Sequence, residues 1–373
     1  MLIRKLISCI SISALLITPI SSAQALSIPR TFEKLATSPT LAKPGIIVLD
    51  PSTETEIYSD SADIPRAPAS VLKLISAATA ISAFGAEKVF QTSIRATDDP
   101  DIYILQGELD PWLTTSPTSA KKFHRALSTK LISAITKTGH DLSGITIKYY
   151  GVFEADIKSL KAYYGKKINF VKIAKPAVVE GQEVINLAKI TSPTLREILE
   201  FTLLWSDNTL ADRLARNAAL KMGYSRDDSD LNLAFEETLN TLNVDSTGLK
   251  VFDGSGLSHG NRVSVRTIAE LLVKIRTEPA LQAIYDGLPV AGKTGTLKKR
   301  FKKYGSSAKG LVKAKTGWIN TSVTLAGYVE AKESEYVFVV IANHIKPTEK
   351  SRAEARKVID KMLATIAKPL EIA

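Results

Sequence analysis

A serine and a lysine three residues apart, Ser70 and Lys73, stand at the head of a long apolar run that continues to Phe84. Pro68 and Ser70 are start signals for a helix, no breaker interrupts the run, and Gly85 is a natural stop. The pattern therefore predicts a helix over residues 70–84 with the serine in its first turn.

Residues three apart on a helix lie on one face, about 5–6 Å apart between their Cβ atoms, so the Lys73 ammonium can reach the Ser70 hydroxyl. A serine hydroxyl is a weak nucleophile. A lysine whose pKa is lowered by burial or by a second cation can act as its base. The pair is a candidate nucleophile and base, although the same spacing occurs at ordinary helix starts, and the rest of the chain must decide.

The N-terminal segment is typical of a secretory signal peptide. Arg4 and Lys5 precede an apolar run, and residues 23–25 supply the small-x-small pattern of a signal-peptidase site. We therefore expect residues 1–25 to be a signal peptide and the protein to be exported to the periplasm, cell wall or extracellular space. An uncleaved membrane anchor is the alternative. The only cysteine, Cys9, lies in this segment, so disulfides are not expected in the mature chain.

The chain has 373 residues, 45% of them hydrophobic, and a formal net charge of +11. This composition is typical of a globular protein of one large or two medium domains. A basic exported protein is attracted to anionic envelope polymers or membrane surfaces. Residues 298–303 concentrate part of the charge, although a solvated basic loop also explains them. Export argues against a nucleic-acid partner.

Hydrophobic patterning predicts a mixed α/β chain. The predicted strands are 45–50, 55–58, 90–96, 102–107, 145–153, 169–173, 310–316, 322–330 and 336–343. The predicted helices are 70–84, 120–138, 193–205, 210–222, 231–242, 265–276 and 352–367. Ser192 is the expected N-cap of the third helix, with Pro193 at its first position. The last helix has an apolar face that would pack on the sheet, the alternative being a membrane surface.

No catalytic pattern occurs between residues 89 and 189. We interpret residues 89–189 as an inserted accessory module on the substrate side. Residues 26–88 and 190–373 would then form the catalytic domain.

Two further patterns follow this module. Ser206 and Asn208 lie at a junction between two predicted helices, where side chains can point into a cleft, although Ser-Asp-Asn alone is more often a cap or turn. Lys315 and Thr316 end a predicted strand. A strand edge can pair with an extended peptide while these two side chains hold a terminal carboxylate.

The order S-x-x-K, S-x-N and K-T-G resembles that of penicillin-binding proteins and serine β-lactamases. Further segments resemble the class C low-molecular-mass penicillin-binding proteins, the D-alanyl-D-alanine carboxypeptidases/endopeptidases of the bacterial cell wall. The segments are 68–73, 107–111, 205–208, 253–258, 288–292 with 295–297, and 314–317. The resemblance implies an antiparallel sheet flanked by helices plus an all-helical lobe, with the active site between them. It also implies that the inserted module is reduced.

The resemblance assigns catalytic roles. Ser70 would attack the carbonyl of the D-Ala-D-Ala bond, and Lys73 would take its proton. Ser206 would relay a proton toward the leaving amine, while Asn208 would hold Lys73 and the substrate amide. Lys315 would keep the local potential positive.

The same resemblance implies the substrate-binding residues. Thr316 would orient the terminal carboxylate together with the preceding lysine, and Gly317, Trp318 and Asp207 complete the set. The backbone N–H groups of Trp318 and of Ser70 would form the oxyanion hole. The family usually has Ser or Thr where this chain has Trp318, so the indole would narrow the cleft or contact the substrate.

The resemblance implies an exported serine DD-peptidase that removes terminal D-Ala from peptidoglycan stem peptides and that could also cleave D-Ala cross-links. β-Lactam antibiotics would acylate the same serine and be released slowly. Two alternatives stay open. A serine β-lactamase differs in fast deacylation, and a catalytically inactive peptidoglycan-binding protein would not acylate.

Several other patterns do not carry a function. Residues 287–294 match a Walker A sequence, but no strand precedes them and no helix follows, so nucleotide binding is not predicted. They contain another Lys-Thr-Gly, 293–295, which lacks the strand that precedes the copy at 315–317. Residues 236–240 resemble the deacylating loop of class A β-lactamases, but they lie in an amphipathic helical run. The histidines are scattered, so neither a metal nor a cofactor is predicted.

Overall fold

The computed structural model describes residues 26–176, 186–332 and 334–371. The predicted signal peptide lies outside the described residues. The α-helices are α1 Arg30–Ala36, α2 Lys73–Phe84, α3 Pro117–Phe123, α4 Thr129–Thr136, α5 Glu154–Tyr164, α6 Leu195–Trp205, α7 Asn208–Lys221, α8 Asp228–Thr241, α9 Val265–Thr277, α10 Gln282–Asp286 and α11 Glu349–Ala364. The strands are β1 Gly45–Leu49, β2 Glu56–Asp60, β3 Gln91–Ala96, β4 Ile102–Gly107, β5 Leu113–Thr114, β6 Ala126–Leu127, β7 Ile145–Tyr150, β8 Ile168–Lys172, β9 Asn186–Thr191, β10 Val312–Ile319, β11 Ser322–Ala331 and β12 Ser334–Ala342.

The first sheet has the strand order β10-β11-β12-β1-β2, and every neighbouring pair is antiparallel. Strand β1 is buried on both faces, because successive side chains alternate between two cores. Ile47 and Leu49 pack against the helical lobe that contains α2 and α6 to α9, whereas Ile46 and Val48 pack against α1 and α11. The predicted antiparallel sheet, its flanking helices and the helical lobe are confirmed.

The C-terminal helix packs on this sheet, as the sequence predicts. Ala355, Ile359 and Met362 of α11 are fully buried in the core that also contains Phe338 of β12. Thr348 caps the helix by accepting a 3.1 Å hydrogen bond from the Ser351 N–H. None of the helices in the described residues has both the length and the apolar character needed to cross a membrane.

A second sheet, with the order β8-β7-β4-β3-β9, is built from residues 91–191. Strands β4, β7 and β8 run parallel, and β3 is antiparallel to both of its neighbours. The sheet has a core of its own, in which Ile94, Ile132, Ile147 and Phe170 are buried. The assignment of residues 89–189 as an inserted module stays a prediction.

The predicted helix over 120–138 is wrong. The chain forms two helices here, and His124, with φ 53°, ends the first of them. The Arg125 guanidinium then donates to the carbonyls of Pro111, Trp112 and Leu113 at 3.0–3.2 Å. These bonds hold the intervening residues as β6 beside β5, so tertiary hydrogen bonds override the helical pattern.

The predicted N-cap of α6 is also wrong. Thr194, not Ser192, caps the helix: its side chain accepts from the Glu197 N–H, and the Glu197 carboxylate accepts in return from the Thr194 N–H. Ser192 is buried and accepts a 2.9 Å hydrogen bond from the Phe90 N–H. The serine therefore joins the helix to the start of the second sheet.

Candidate active site

The predicted nucleophile and base lie at the start of α2. Ser70 belongs to a 3-10 helix, Ala69–Leu72, that runs directly into α2 at Lys73. Lys73 Nζ donates a 2.9 Å hydrogen bond to Ser70 Oγ. The predicted pairing of the two side chains is therefore present, although the first turn of the helix is 3-10 rather than α.

Burial changes the chemistry of Lys73. The side chain is 1% exposed, and burial lowers its pKa to about 7, against the opposing charges of Asp253 and Asp207. A lysine with that pKa is a base near neutral pH, because a large fraction of it is unprotonated. The site therefore has the activated lysine that Ser70 needs.

The partners of Lys73 orient its lone pair. Nζ donates to Asn208 Oδ1 at 2.7 Å and to the Ser255 carbonyl at 2.6 Å, in addition to Ser70 Oγ. Both carbonyl oxygens can only accept hydrogen bonds. When the amine is neutral, its two hydrogens are therefore held by these oxygens, and its lone pair faces the Ser70 hydroxyl.

The loop over 253–258 delivers the Ser255 carbonyl. The Asp253 carboxylate accepts from the backbone N–H groups of Ser255 and Ser258, both at 2.7 Å, and from Asn261 Nδ2 at 3.0 Å. Burial alone would raise the pKa of Asp253, but a 2.6 Å hydrogen bond from Ser255 Oγ, together with those from the backbone and Asn261, lowers it. The loop, which resembles that of the family, is thus fixed by an ionised carboxylate.

The Ser-Asp-Asn tripeptide divides its tasks by position. Ser206 ends α6 in a left-handed conformation, with φ 58° and ψ 43°. Asp207 caps α7 by accepting a 2.9 Å hydrogen bond from the Leu210 N–H. Ser206 and Asn208 both line the cleft. A substrate-binding role for Asp207 stays a prediction.

Lys315 is the second buried lysine of the site. Its side chain is fully buried, and Nζ donates to Ser206 Oγ and to the Thr316 carbonyl, both at 2.9 Å. Burial, followed by the positive charge of Lys73, lowers its pKa well below the usual range. Strand β10 does not end at this lysine, as the sequence suggested, but continues to Ile319.

Strand β10 is the edge strand that faces the cleft. On its free side the Ala314 N–H donates to the Pro289 carbonyl, and the Val312 carbonyl accepts from the Ala291 N–H. Backbone groups alternate between the two sides of a strand, so those of Thr316 and Trp318 point to the same free side. The edge can therefore pair with an extended peptide and offer an N–H group to an oxyanion.

Gly317 brings this edge against the nucleophile. A Cβ at this position would lie 2.2 Å from Thr324 Oγ1 and 2.8 Å from the Ser70 backbone nitrogen. No larger residue fits without displacing the strand or the serine. The glycine is therefore needed for the close approach of β10 to Ser70.

These elements enclose a cleft of about 790 Å³. Its lining residues are Ser70, Trp205, Ser206, Asn208, Gly256, Leu257, His259, Thr296, Arg300, Thr316, Gly317, Trp318, Ile319, Asn320 and Arg356. Lys73 and Lys315 reach it through the two serines that they hold. The structure thus brings together all the predicted site residues except Asp207, whose side chain is engaged in the helix cap.

Sequence reasoning missed several members of the site. Thr296 accepts a 2.8 Å hydrogen bond from Thr316 Oγ1, and Arg300 and Arg356 form the adjoining wall. Thr296 lies within one of the segments that resemble the family, which is the signal that could have found it. The Trp318 indole is 56% exposed on the rim, 5.2 Å from the Arg352 guanidinium.

The competing patterns fold differently. Lys293 is exposed in a turn, and a 3-10 helix, Gly295–Leu297, follows where a phosphate loop needs an α-helix. Glu236 is on α8 and accepts a hydrogen bond from Asn232. In the described part of the chain, no group of three or more His, Cys, Asp or Glu could hold a metal ion.

Comparison with known proteins identifies the family. The sequence matches the D-Ala-D-Ala carboxypeptidase 3 (S13) family over residues 30–141 and 164–366. The chain belongs to this family. The prediction of a low-molecular-mass penicillin-binding protein of the serine D-Ala-D-Ala carboxypeptidase class is therefore confirmed.

Individual relatives agree with this assignment. Carboxypeptidase DacB of Mycolicibacterium smegmatis is 27% identical over 361 residues, covering 83% of this chain and 78% of that protein. A D-alanyl-D-alanine carboxypeptidase of Actinomadura sp. is 38% identical over 174 residues, or 45% of this chain and 31% of the relative. The structure of penicillin binding protein 4 (dacB) from Haemophilus influenzae has a TM-score of 0.68 at 16% identity, covering 90% of this chain and 98% of that one.

The S13 match also covers both sides of the cleft. It includes the α2 segment with Ser70, the junction with Ser206 and the β10 edge with Lys315. The Haemophilus likeness at 16% identity shows the fold, which confirms the predicted penicillin-binding-protein architecture.

Proposed function

We propose that this chain is an exported serine DD-peptidase that removes terminal D-Ala from peptidoglycan stem peptides through an acyl-enzyme on Ser70. One observation carries the proposal: two buried lysines each hold one serine, Lys73 with Ser70 and Lys315 with Ser206, both at 2.9 Å. S13 membership supplies the reaction class. The roles of the individual residues are proposed from their geometry.

In the first step, Ser70 Oγ attacks the carbonyl carbon of the D-Ala-D-Ala bond while neutral Lys73 takes the hydroxyl proton. The lone pair of Lys73 already faces that hydroxyl, because Asn208 and the Ser255 carbonyl hold its hydrogens. The backbone N–H groups of Ser70 and Trp318 stabilise the oxyanion. A donor of this kind is typically worth about 3–4 kcal/mol in the transition state.

In the second step, the amide bond breaks, and the proton that Lys73 took from Ser70 passes to the leaving amine through Ser206, which Lys315 holds in place. Lys73 is then neutral again. The carboxylate of the departing D-Ala lies against Thr316 and near the positive charge of Lys315. Water then attacks the acyl-enzyme with Lys73 again as base, which frees the shortened peptide and restores the Ser70 hydroxyl.

A β-lactam presents a strained amide and a carboxylate to the same groups, and we propose that it acylates Ser70 and leaves slowly. The Haemophilus influenzae protein has also been crystallised with a β-lactam, which supports this extension. We also propose cleavage of D-Ala cross-links, and association of the basic segment 298–303 with anionic envelope polymers.

The proposal is tested by D-Ala release from a pentapeptide that ends in D-Ala-D-Ala, with Ser70→Ala and a peptide ending in L-Ala-L-Ala as controls. We expect the purified wild-type protein to release D-Ala from the first peptide alone, and the variant to release none. Equal turnover of both peptides, or full activity of Ser70→Ala, would contradict the proposal.

A further inference from the structure

One wall of the cleft carries positive charge that removal of a terminal D-Ala does not need. Arg300 and Arg356 line the cleft beside Thr296. Thr296 is bonded to Thr316, which the proposed function assigns to the carboxylate of the departing residue. The two arginines therefore lie on the leaving-group side of Ser70.

This wall is firmly built. Arg300 Nε donates to the Asp360 carboxylate of α11 at 3.1 Å, and both side chains are largely buried. Ser307 Oγ donates to the Ala364 carbonyl at 3.1 Å, so the segment after Arg300 lies along α11. Arg356, one turn before Asp360, is paired with Glu349. The wall is thus a fixed surface of two packed segments.

Six lysines that do not themselves line the cleft are near Arg300 in the sequence or near Arg356 on α11. We call this group the basic rim, and its members are Lys298, Lys299, Lys302, Lys303, Lys357 and Lys361. Three of its ammonium groups surround one ring: Lys303, Lys357 and Lys361 lie 5.6, 4.9 and 5.5 Å from the centroid of Tyr304. Within the described residues, Glu354 pairs with Lys357, whereas no ion pair neutralises Lys298, Lys299 or Lys302.

Arg300 and Arg356 each have a carboxylate partner, so the charge without a counter-charge, among the residues that the structure describes, belongs to Lys298, Lys299 and Lys302. A cluster of like charges is unfavourable unless a counter-charge is available. A terminal D-Ala leaves as a single small amino acid and fills only the space beside Thr316. A cross-linked substrate differs, because its leaving amine belongs to a second peptide that bears further carboxylates. That peptide must continue past Thr316, toward Arg300 and Arg356.

We propose that the basic rim binds the acidic acceptor peptide of a peptidoglycan cross-link and so favours the endopeptidase reaction. The chemistry is the hydrolysis already described: the D-Ala amide breaks, the acyl group passes to Ser70, the acceptor amine leaves with a proton, and water releases the acyl group. The inference rests on the proposed function, which supplies the direction of the substrate. The basic rim adds a preference for an acidic peptide, rather than a single D-Ala, as the leaving group.

The test compares two charge reversals. Lys298→Glu/Lys299→Glu/Lys302→Glu changes exposed side chains of the rim. Its matched control, Lys130→Glu/Lys137→Glu/Lys166→Glu, makes the same change of net charge at exposed sites in and after α4 and in the turn before β8, in a different part of the chain. The substrates are a purified cross-linked muropeptide dimer and the corresponding monomeric pentapeptide, and kcat/KM is measured for each at low and high salt.

We expect the rim variant to lower kcat/KM for the dimer about tenfold relative to the pentapeptide, because electrostatic capture raises association rates by about tenfold or more. The control should keep the wild-type ratio. Added salt should lower the dimer rate of the wild type toward that of the variant. A variant with glutamine at the same three rim positions should fall between the two.

Acylation by benzylpenicillin distinguishes a failure of this inference from a failure of the proposed function. If all variants acylate at the wild-type rate but the dimer-to-pentapeptide ratio does not change, the basic rim has no role in choosing the leaving group. If the rim variant loses retention on whole sacculi while its dimer turnover is unchanged, these lysines serve only the polymer association proposed above, and the inference is overturned. If the wild type does not acylate, the proposed function fails as well.

Discussion

The chain contains Lys-Thr-Gly three times, at 137–139, 293–295 and 315–317, and the last two copies differ in their backbone setting. Residues 315–317 lie on the edge strand of the first sheet, and Lys315 is fully buried against Ser206. Residues 293–295 form part of a turn, and Lys293 is exposed. The same tripeptide therefore places a buried lysine at the cleft in one case and a solvent-exposed lysine in a turn in the other.

The turn that contains residues 293–295 nevertheless contacts the strand that contains residues 315–317. Thr294 Oγ1 accepts from the Val290 N–H at 2.9 Å and closes the turn. Thr296, the residue after this turn copy, accepts a hydrogen bond from the hydroxyl of Thr316. The turn thus supports the strand that carries the site. The chemistry of Lys-Thr-Gly therefore depends on burial of its lysine and on a free strand edge. The three residues alone do not determine it.

The largest difference in acylation rate is expected between substitutions of Lys315 and of Lys293. Lys315→Ala should lower the second-order rate constant for benzylpenicillin acylation by about 10²–10³, since a preorganised charge at the developing negative charge is lost. Lys293→Ala should stay within twofold of the wild type. Lys315→Met, which keeps the buried volume, serves as the folding control. Equal losses in the two alanine variants would remove the distinction between the copies.

Substitution of Gly317 should chiefly affect acylation, whereas substitution of Gly295 should chiefly affect stability. Gly317→Ala places a methyl group 2.8 Å from the Ser70 nitrogen, and displacement of the nucleophile should cost about 10² in acylation rate. Gly295 has φ 50°, and its Cβ would lie 2.4 Å from the Leu204 carbonyl oxygen, so Gly295→Ala should chiefly lower the melting temperature. A Gly317→Ala enzyme with normal acylation and a lowered melting temperature would reverse this assignment.

The pH dependence should follow the buried lysine that acts as base. The neutral form of Lys73 is the active one, and its pKa is about 7. The acylation rate should therefore rise about tenfold from pH 6 to pH 8 as the ammonium loses its proton. Lys293→Ala should leave this profile unchanged. A rate that is flat over this range, measured by stopped-flow acylation, would be inconsistent with Lys73 as the base.

The smallest effects are expected at the two threonines of the turn. Thr296→Val removes the acceptor of the Thr316 hydroxyl, and the loss of one hydrogen bond of about 1 kcal/mol should raise KM for the pentapeptide about fivefold. Thr294→Val should instead lower the free energy of unfolding by about 1 kcal/mol and leave KM unchanged. A raised KM in Thr294→Val with a normal KM in Thr296→Val would contradict the proposed position of the substrate carboxylate beside Thr316 and Thr296.

The sequence predicted those parts of the site that local geometry determines. Ser70 and Lys73 share a face because they are three residues apart, and Ser206 with Asn208 lies at a helix junction that patterning shows. The strand predicted at 310–316 corresponds to the first part of β10, which continues to Ile319. Each of these signals is contained within about ten neighbouring residues.

Contacts between distant segments could not be predicted in this way. The Ser255 carbonyl that orients Lys73 is 182 positions away in the chain, and backbone carbonyls leave no signature in the side-chain sequence. Arg125 breaks the predicted helix through carbonyls that precede it by 12–14 residues. In both cases the decisive partner is a main-chain group placed by the fold.

One measurement tests the role of Ser70 most directly: intact-mass analysis of the purified protein over a time course with benzylpenicillin, beside Ser70→Ala and Lys293→Ala. We expect a persistent adduct of one drug molecule on the wild type and on Lys293→Ala, mapping to the peptide that contains Ser70, and none on Ser70→Ala. Drug consumption without an adduct would indicate a β-lactamase. An adduct on Ser70→Ala, or neither adduct nor consumption with the wild type, would contradict Ser70 as the nucleophile.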